Sequence, residues 1–270
     1  RVHDFVRPYL DLVDVPPRDA IADLPALLAV LDESVAAVWV ETPSHTGAIE
    51  TRLAEVAEAA HAVGAIVVVS TDPICYGVLT PPASHGADIV CGDLQSLGLH
   101  AYYGGAHGGF LAVHDDPRFV MELPSRIFGL AATDVPGEYG FGDVAYERTS
   151  FAVREEGKEW VGTAAALQGP QGMAELGETI LARTRYAQQR LQGIPGVRLG
   201  DDAVHFREFT IELSGVSPAS VVERLRPLGI APGVPLDDQR LLICVTETNT
   251  SDDIDALAAA VAAILEEDHR

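Results

Sequence analysis

The sequence predicts an α/β protein with a mostly parallel sheet in its first half and a small α+β unit at its C-terminal end. Up to residue 116, short apolar runs alternate with amphipathic helical segments, a pattern typical of parallel strands joined by right-handed crossovers. In the last hundred residues or so, helices and strands alternate in an order that favours a small antiparallel sheet. We therefore predict a large domain over 1–116, a connecting segment over 117–167 and a small domain over 168–270.

The first half contains four predicted strands and two helical stretches. Leucines recur at helical spacing over 21–33, and a second helix runs through Val56 until Gly64 ends it. The apolar runs between them are strand-sized, and turn-forming residues bound them. The predicted strands are Ala36–Glu41, Ala65–Ser70, Ala87–Cys91 and Gly109–Val113.

The second half has a weakly periodic stretch followed by regular elements. Residues 117–160 are rich in Arg, Glu, Gly and Pro, which predicts a segment connecting two domains. Ser217 and Ser251 are the predicted N-caps of two later helices, because a hydroxyl can accept a hydrogen bond from the first turn. The predicted elements are a helix from Met173 to Leu191, a strand over Phe206–Leu213, a helix ending at Gly229, a strand over Leu241–Val245 and a final helix.

The composition excludes several classes of function. The chain has 270 residues and a net charge of −22, so it would repel a phosphate backbone, and we expect no nucleic-acid partner. No apolar run has the length of about 18 residues that a membrane span needs. Three cysteines without metal-ligand spacing indicate a reducing compartment, so we expect a cytoplasmic protein. Only one of the 18 basic residues is a lysine, Lys158.

Asp72 is the first candidate functional residue. It follows the second predicted strand, and ligands of open α/β sheets bind at the carboxyl ends of the strands. A carboxylate at this place can pair with a protonated ring nitrogen of a bound cofactor. The alternative is an ordinary turn aspartate before Pro73, which needs no ligand. Local sequence favours that alternative, and the two interpretations stay open here.

A glycine-rich stretch after the third strand, CGDLQSLGLHAYYGGAHGGF, is the second candidate. Its glycines let the backbone approach a ligand closely, and Gln95, Ser96, His100 and His107 are placed to line a cavity. It matches neither the P-loop nor the dinucleotide fingerprint, and its histidines lack metal spacing. Cys75 could be a nucleophile, but no base can be named for it, and a structural role is favoured.

Long segments of the chain resemble the glycine cleavage system P-protein family, and specifically subunit 1 of its split, two-chain form. The glycine-rich stretch is one of them. The others also agree in order along the chain: AAVWVETPSHTGAIE, VSTDPICYGVLTPPASHGADIV, PSRIFGLAATDVPGEYGFGDVAYERTSFAVREEGKEWVGTAAAL, FREFTIEL and LLICVTETNTSDDIDALAAAV. Because several long segments agree in order, the resemblance covers essentially the whole chain.

The resemblance implies a fold-type-I architecture, in which pyridoxal phosphate (PLP) is the cofactor. It implies Asp72 as the partner of the pyridine nitrogen, with His45, Gln95, Ser96 and His100 also at the cofactor. In the family, the lysine that anchors PLP belongs to subunit 2. Gln95 and Ser96 stand where a competent chain would carry His-Lys, so the resemblance implies a partner subunit that supplies the lysine and anchors PLP.

Two departures from the family pattern lead to further expectations. The family chain is longer at its N-terminus, by roughly the 150 residues needed to complete a large domain. The family also carries about a dozen more apolar residues between Leu167 and Gln168, and losing a core helix there would expose apolar surface. We expect residues to be missing at both places. Lys158 is expected to be a solvated charge.

The implied activity is decarboxylation of glycine, with transfer of the aminomethyl group to the lipoyl arm of a carrier protein. One alternative is a relative recruited to a biosynthetic reaction that forms a carbon–carbon bond or decarboxylates another amino acid. A further alternative is a non-catalytic scaffold subunit, in which Asp72 is a relic. The sequence alone does not separate the three.

Overall fold

The residues that the structure describes form two four-stranded sheets and a separate two-stranded hairpin. The computed structural model describes residues 10–98, 108–114, 116–120, 122–123, 128–143 and 169–268. Lys158, His100, His107 and the junction between Leu167 and Gln168 lie outside these residues, so the expectations about them stay predictions.

The first sheet has the strand order β1-β2-β3-β4. The prediction of four strands is confirmed, but the pairing is mixed, because β4 runs antiparallel to β3 while β1, β2 and β3 are parallel. The strands are β1 (Ala37–Glu41), β2 (Ile66–Thr71), β3 (Ile89–Asp93) and β4 (Gly109–Val113).

Two helices accompany this sheet. Helix α1 covers only Leu24–Leu28, so the helix expected over 21–33 is much shorter than predicted. Helix α2 (Leu53–Ala62) ends as expected before Gly64, whose φ of +86° most side chains avoid. The apolar face of α2 packs on one face of the sheet. Val56 of α2 and Val67 and Val69 of β2 are fully buried in the core between them. This packing holds the carboxyl ends of the parallel strands in place.

The region after the first sheet is more regular than predicted. A short helix α3 covers Pro117–Val120, and strands β5 (Phe128–Ala132) and β6 (Tyr139–Asp143) form an antiparallel hairpin. The sequence predicted no regular element here, and the interpretation of this region as a segment connecting two domains stays a prediction. Small residues occupy many strand positions here, as in Tyr139–Asp143 (YGFGD), and such strands lack the β-branched pattern on which a sequence prediction depends.

The second sheet is fully antiparallel and has the order β7-β8-β10-β9, which confirms the predicted small antiparallel unit. Its strands are β7 (Val197–Leu199), β8 (Glu208–Leu213), β9 (Val234–Pro235) and β10 (Arg240–Cys244). Helices α4 (Gly169–Gln192), α5 (Pro218–Leu225) and α6 (Ser251–Asp268) cover it and share one apolar core with it. None of the helices in the described ranges combines the length and apolar character that crossing a membrane requires.

One of the two predicted helix caps is confirmed. The Ser217 hydroxyl accepts a hydrogen bond from the Ser220 backbone N–H at 3.2 Å. The prediction for Ser251 is wrong, because Ser251 is already the first residue of α6. Thr250 takes the cap position instead: its N–H and Oγ1 donate to Asp253 at 2.8 and 2.7 Å, and the Asp253 N–H donates to Thr250 Oγ1.

The two four-stranded sheets are joined by backbone pairing and by a shared apolar cluster. The Ile49 N–H donates to the Val204 carbonyl at 2.8 Å, next to a β-bridge between Ala48 and His205. Beneath this junction, Phe206 and Ile180 pack with residues of the turn that follows β2. The start of β8 is therefore held close to the carboxyl ends of β1, β2 and β3.

Candidate functional site

A cleft of about 420 Å³ opens where the carboxyl ends of β1, β2 and β3 face the second sheet. Its first wall is built from the residues that end these three strands, and its second wall from β8 and β10. This is the place at which open α/β sheets bind ligands, because the loops leaving parallel strands diverge there. Side chains that lie far apart in the sequence meet in this cleft.

Asp72 lies at the centre of the cleft, directly after β2. Its Oδ1 accepts hydrogen bonds from Ser96 Oγ at 2.5 Å and from the Ile74 N–H at 3.2 Å. Its Oδ2 lies 2.7 Å from Nη2 of Arg207. This contact is a close ion pair whose N–H is not aligned on the oxygen, since Oδ2 accepts no hydrogen bond of good geometry within the described residues. Each carboxylate oxygen of Asp72 therefore has a partner.

The structure brings four of the five predicted site residues together. His45, Asp72, Gln95 and Ser96 all line the cleft. Ser96 lies in the turn after β3 and reaches Asp72 directly, while the Gln95 N–H is held by Asp93 at 2.5 Å. His100 lies outside the described residues. What these side chains bind stays a prediction, since the geometry shows only that they share one cavity.

Arg207 and Glu208 are site residues that the sequence did not predict. Glu208 is the first residue of β8 and Arg207 directly precedes it, and Nε of Arg207 lies 2.8 Å from Oε1 of Glu208. Burial alone would favour the neutral guanidine, but the carboxylates of Asp72 and Glu208 outweigh it and raise the pKa of Arg207. The one available signal was the pair of charges beside the apolar Phe206 at the start of a predicted strand. That pattern does not say what the charges face.

Beside Asp72, a buried set of hydrogen bonds holds the turn after β2. The Tyr76 hydroxyl donates to Thr71 Oγ1, which in turn donates to the Thr42 carbonyl, both at 2.5 Å. Cys75 is 1% exposed, and its Sγ donates to the Asp72 carbonyl at 2.8 Å. Burial raises the pKa of Cys75 to about 12, so the thiol stays protonated. These facts support the structural interpretation of Cys75.

A mostly parallel sheet, a smaller antiparallel unit and a cleft between them define the class: the chain has the fold-type-I architecture of PLP-dependent enzymes. A solved glycine decarboxylase (P-protein) of the glycine cleavage system, in inhibitor-bound form, superposes with a TM-score of 0.79 at 32% identity and covers 96% of this chain. A sphingosine-1-phosphate lyase from Burkholderia pseudomallei superposes with a TM-score of 0.68 at 14% identity, which shows the fold alone.

The family model for the glycine cleavage system P-protein matches residues 12–261, and the chain belongs to this family. The probable glycine dehydrogenase (decarboxylating) subunit 1 of Geotalea uraniireducens is 36% identical over 94% of this chain. The protein of the same name from Moorella thermoacetica is 33% identical over 95% of it. The chain spans about three fifths of these relatives, 62% and 60% of their lengths.

The residues in the cleft do not fit a PLP ring at Asp72 as they are arranged. Oδ1 of Asp72 already accepts two hydrogen bonds, so a protonated pyridine nitrogen would have to approach Oδ2, where the Arg207 cation lies at 2.7 Å and would repel it. The only lysine of the sequence lies outside the described residues, and Ser96 uses its hydroxyl on Asp72. The described residues hold a partly buried ion pair at this place.

Proposed function

We propose that this chain is a subunit 1-type component of a two-chain glycine decarboxylase, and that its partner supplies the lysine and anchors PLP. The relatives named subunit 1 support a partner of the subunit 2 type. The observation that carries the proposal is the position of Ser96. It stands where the resemblance places an anchoring lysine, and it is hydrogen-bonded to Asp72. None of the described residues that line this cleft is a lysine, the side chain that forms the covalent link to PLP.

In this proposal the chain stabilises and completes its partner. Decarboxylation of glycine and transfer of the aminomethyl group to a lipoyl carrier protein take place at the lysine-bearing chain. The second sheet and its helices form a packed unit with a continuous apolar core, which suits a supporting role. We also propose the division into domains at 1–116 and 168–270, with the connecting segment between them, and a cytoplasmic location.

A non-catalytic scaffold is the second candidate function, and the ion pair between Asp72 and Arg207 favours it. A carboxylate already neutralised in the folded chain has no need of a ligand. In the complex, Asp72→Ala separates the two roles. Full glycine decarboxylase activity after the substitution supports the scaffold, whereas a loss that persists in a fully assembled complex supports a direct contribution to the reaction.

The proposed function is tested by expressing the chain alone and together with a lysine-bearing subunit 2 from the same genome. A PLP Schiff base absorbs at about 420 nm. We expect the isolated chain to lack this absorbance band and the purified complex to show it. Release of CO₂ from glycine should likewise require both chains. An absorbance band or decarboxylation in the pure isolated chain would contradict the proposal.

A further inference from the structure

The cation that faces Asp72 is part of the protein and comes from the other sheet. Arg207 precedes the first residue of β8, whereas Asp72 follows the last residue of β2. The two side chains are 23% and 18% exposed, so water screens their attraction only partly. A charge pair in this position joins the two walls of the cleft.

The backbone holds Arg207 at this place. Its carbonyl accepts a hydrogen bond from the Val245 N–H at 2.9 Å, and the side chain of the preceding Phe206 is fully buried. A Cβ on Gly47 would lie 1.9 Å from the Glu208 carbonyl oxygen, so the two walls are in close contact beside the pair. The guanidinium therefore starts from a fixed point beside Asp72.

The remaining contacts leave Asp72 little capacity for a second cation. Ser96 and the Ile74 N–H occupy Oδ1, and Arg207 faces Oδ2. A pyridinium N–H approaching Oδ2 would meet a carboxylate whose charge is already balanced, and the guanidinium would repel it. A ring cation could reach Oδ2 only if the Arg207 guanidinium, 2.7 Å away, moved aside.

We propose that Arg207 is the resident cation of this cleft: it takes the place at Asp72 that the protonated ring of a cofactor would take, and it ties the second sheet to the first. It is a positioning residue. The inference rests on the proposed function only in naming PLP as the excluded ligand. Arg207 thus connects the two sheets across the cleft and keeps a cationic ring from pairing with Asp72.

The stability test is a double-mutant cycle on the full chain with Arg207→Met, Asp72→Asn and the double variant, measured by urea unfolding. The control is Arg198→Met, which breaks the exposed ion pair between Arg198 and Glu212 in the same sheet. We expect R207M to lower the folding equilibrium constant by about 100-fold, because it leaves the partly buried carboxylates of Asp72 and Glu208 without their cation. We expect the control to change it by less than about fivefold.

The double variant should recover at least about tenfold of what R207M loses, since it removes both charges. If R207M does not fold and the double variant does, the unpaired charge of Asp72 is what prevents folding, and this outcome supports the proposal. The proposal is overturned if R207M changes stability no more than R198M does. It is also overturned if neither R207M nor the double variant folds, because the loss would then not depend on the charge of Asp72.

A second measurement needs no destabilising variant. Titrating the isolated wild-type chain with PLP should give no saturable change in the cofactor's absorbance. Saturable binding that Asp72→Asn abolishes would show that Arg207 yields to the ring and would overturn the inference. That outcome would leave the proposed function standing, because activity could still require the lysine of the partner.

Discussion

At the scale of single residues, the character of the cleft depends on what each side chain faces. Asp72 was predicted from its position after a strand, and the structure confirms that it lies in a cavity. Its electrostatic partner, Arg207, follows from no local pattern, because it depends on where a distant strand is placed. The same aspartate could serve a cofactor or an ion pair, and the neighbouring residues decide between the two.

Cys75 provides a prediction at this scale. Because burial raises its pKa to about 12, only about one molecule in 10⁴ carries the thiolate at pH 8. In a Cys91→Ser/Cys244→Ser background, we expect the folded protein to resist a thiol-specific disulfide reagent at pH 8 and to react fully after denaturation. Rapid reaction in the folded state would show that Cys75 is a reactive thiol and not a core residue.

At the scale of elements, the helix caps show that the position at which a helix begins can depend on a single residue. Both Thr250 and Ser251 carry a hydroxyl, and the sequence does not say which of them precedes the helix. The reciprocal hydrogen bonds between Thr250 and Asp253 settle it. Ser217 was the easier case, because Pro218 fixes the first helical position.

The cap assignment predicts different effects for two adjacent substitutions. Thr250→Ala should lower the free energy of unfolding by about 1 kcal/mol, because α6 loses its cap, while Ser251→Ala should change it by less than about 0.5 kcal/mol. Urea unfolding of the two variants at pH 7 measures the difference. A loss for Ser251→Ala as large as or larger than that for Thr250→Ala would contradict the assignment of the cap to Thr250.

The same cap has a pH dependence with a definite sign. The hydrogen bond from the Thr250 backbone N–H, and then the one from its side chain, lower the pKa of Asp253 from 3.8. A lowered pKa in the folded state stabilises the protein fully above the unfolded value, and this contribution is lost as the pH falls through the folded value. The stability difference between wild type and T250A should therefore be smaller at about pH 3 than at pH 7, and a difference that widens there would contradict the assignment.

At the scale of the whole molecule, the joint between the sheets depends on a close approach of backbone to backbone. Gly47 has a φ of +87°, and a Cβ there would lie 1.9 Å from the Glu208 carbonyl oxygen. Gly64 has almost the same φ, +86°, but a Cβ would meet nothing within 4 Å. The two glycines therefore form a matched pair that differs in the contact across the joint.

We expect Gly64→Ala to lower the free energy of unfolding by about 1 kcal/mol through the left-handed backbone alone. Gly47→Ala should lower it by about 1–3 kcal/mol more, because the added methyl group also forces the two sheets apart. Thermal or urea unfolding of both variants measures the excess. Equal losses would mean that the walls of the cleft are not in tight contact at Gly47.

The elements of this protein follow largely from its sequence, because each is set by a pattern within a few residues. Runs such as Ile66–Thr71 and the apolar stripe of Gly169–Gln192 identify strand and helix without knowledge of their neighbours. The hairpin of Phe128–Ala132 and Tyr139–Asp143 was missed, because small residues conceal the strand pattern there.

The order of most helices and strands, the family of the chain and its possession of a single lysine, Lys158, could all be inferred from the sequence. The direction of β4, the contact between the two sheets and the pairing of Asp72 with Arg207 became visible in the folded structure. The two groups of features differ in the distance along the chain over which the responsible interactions act. Propensity and periodicity act over a few residues, whereas this ion pair exists only because two separately formed sheets pack with their charged ends together.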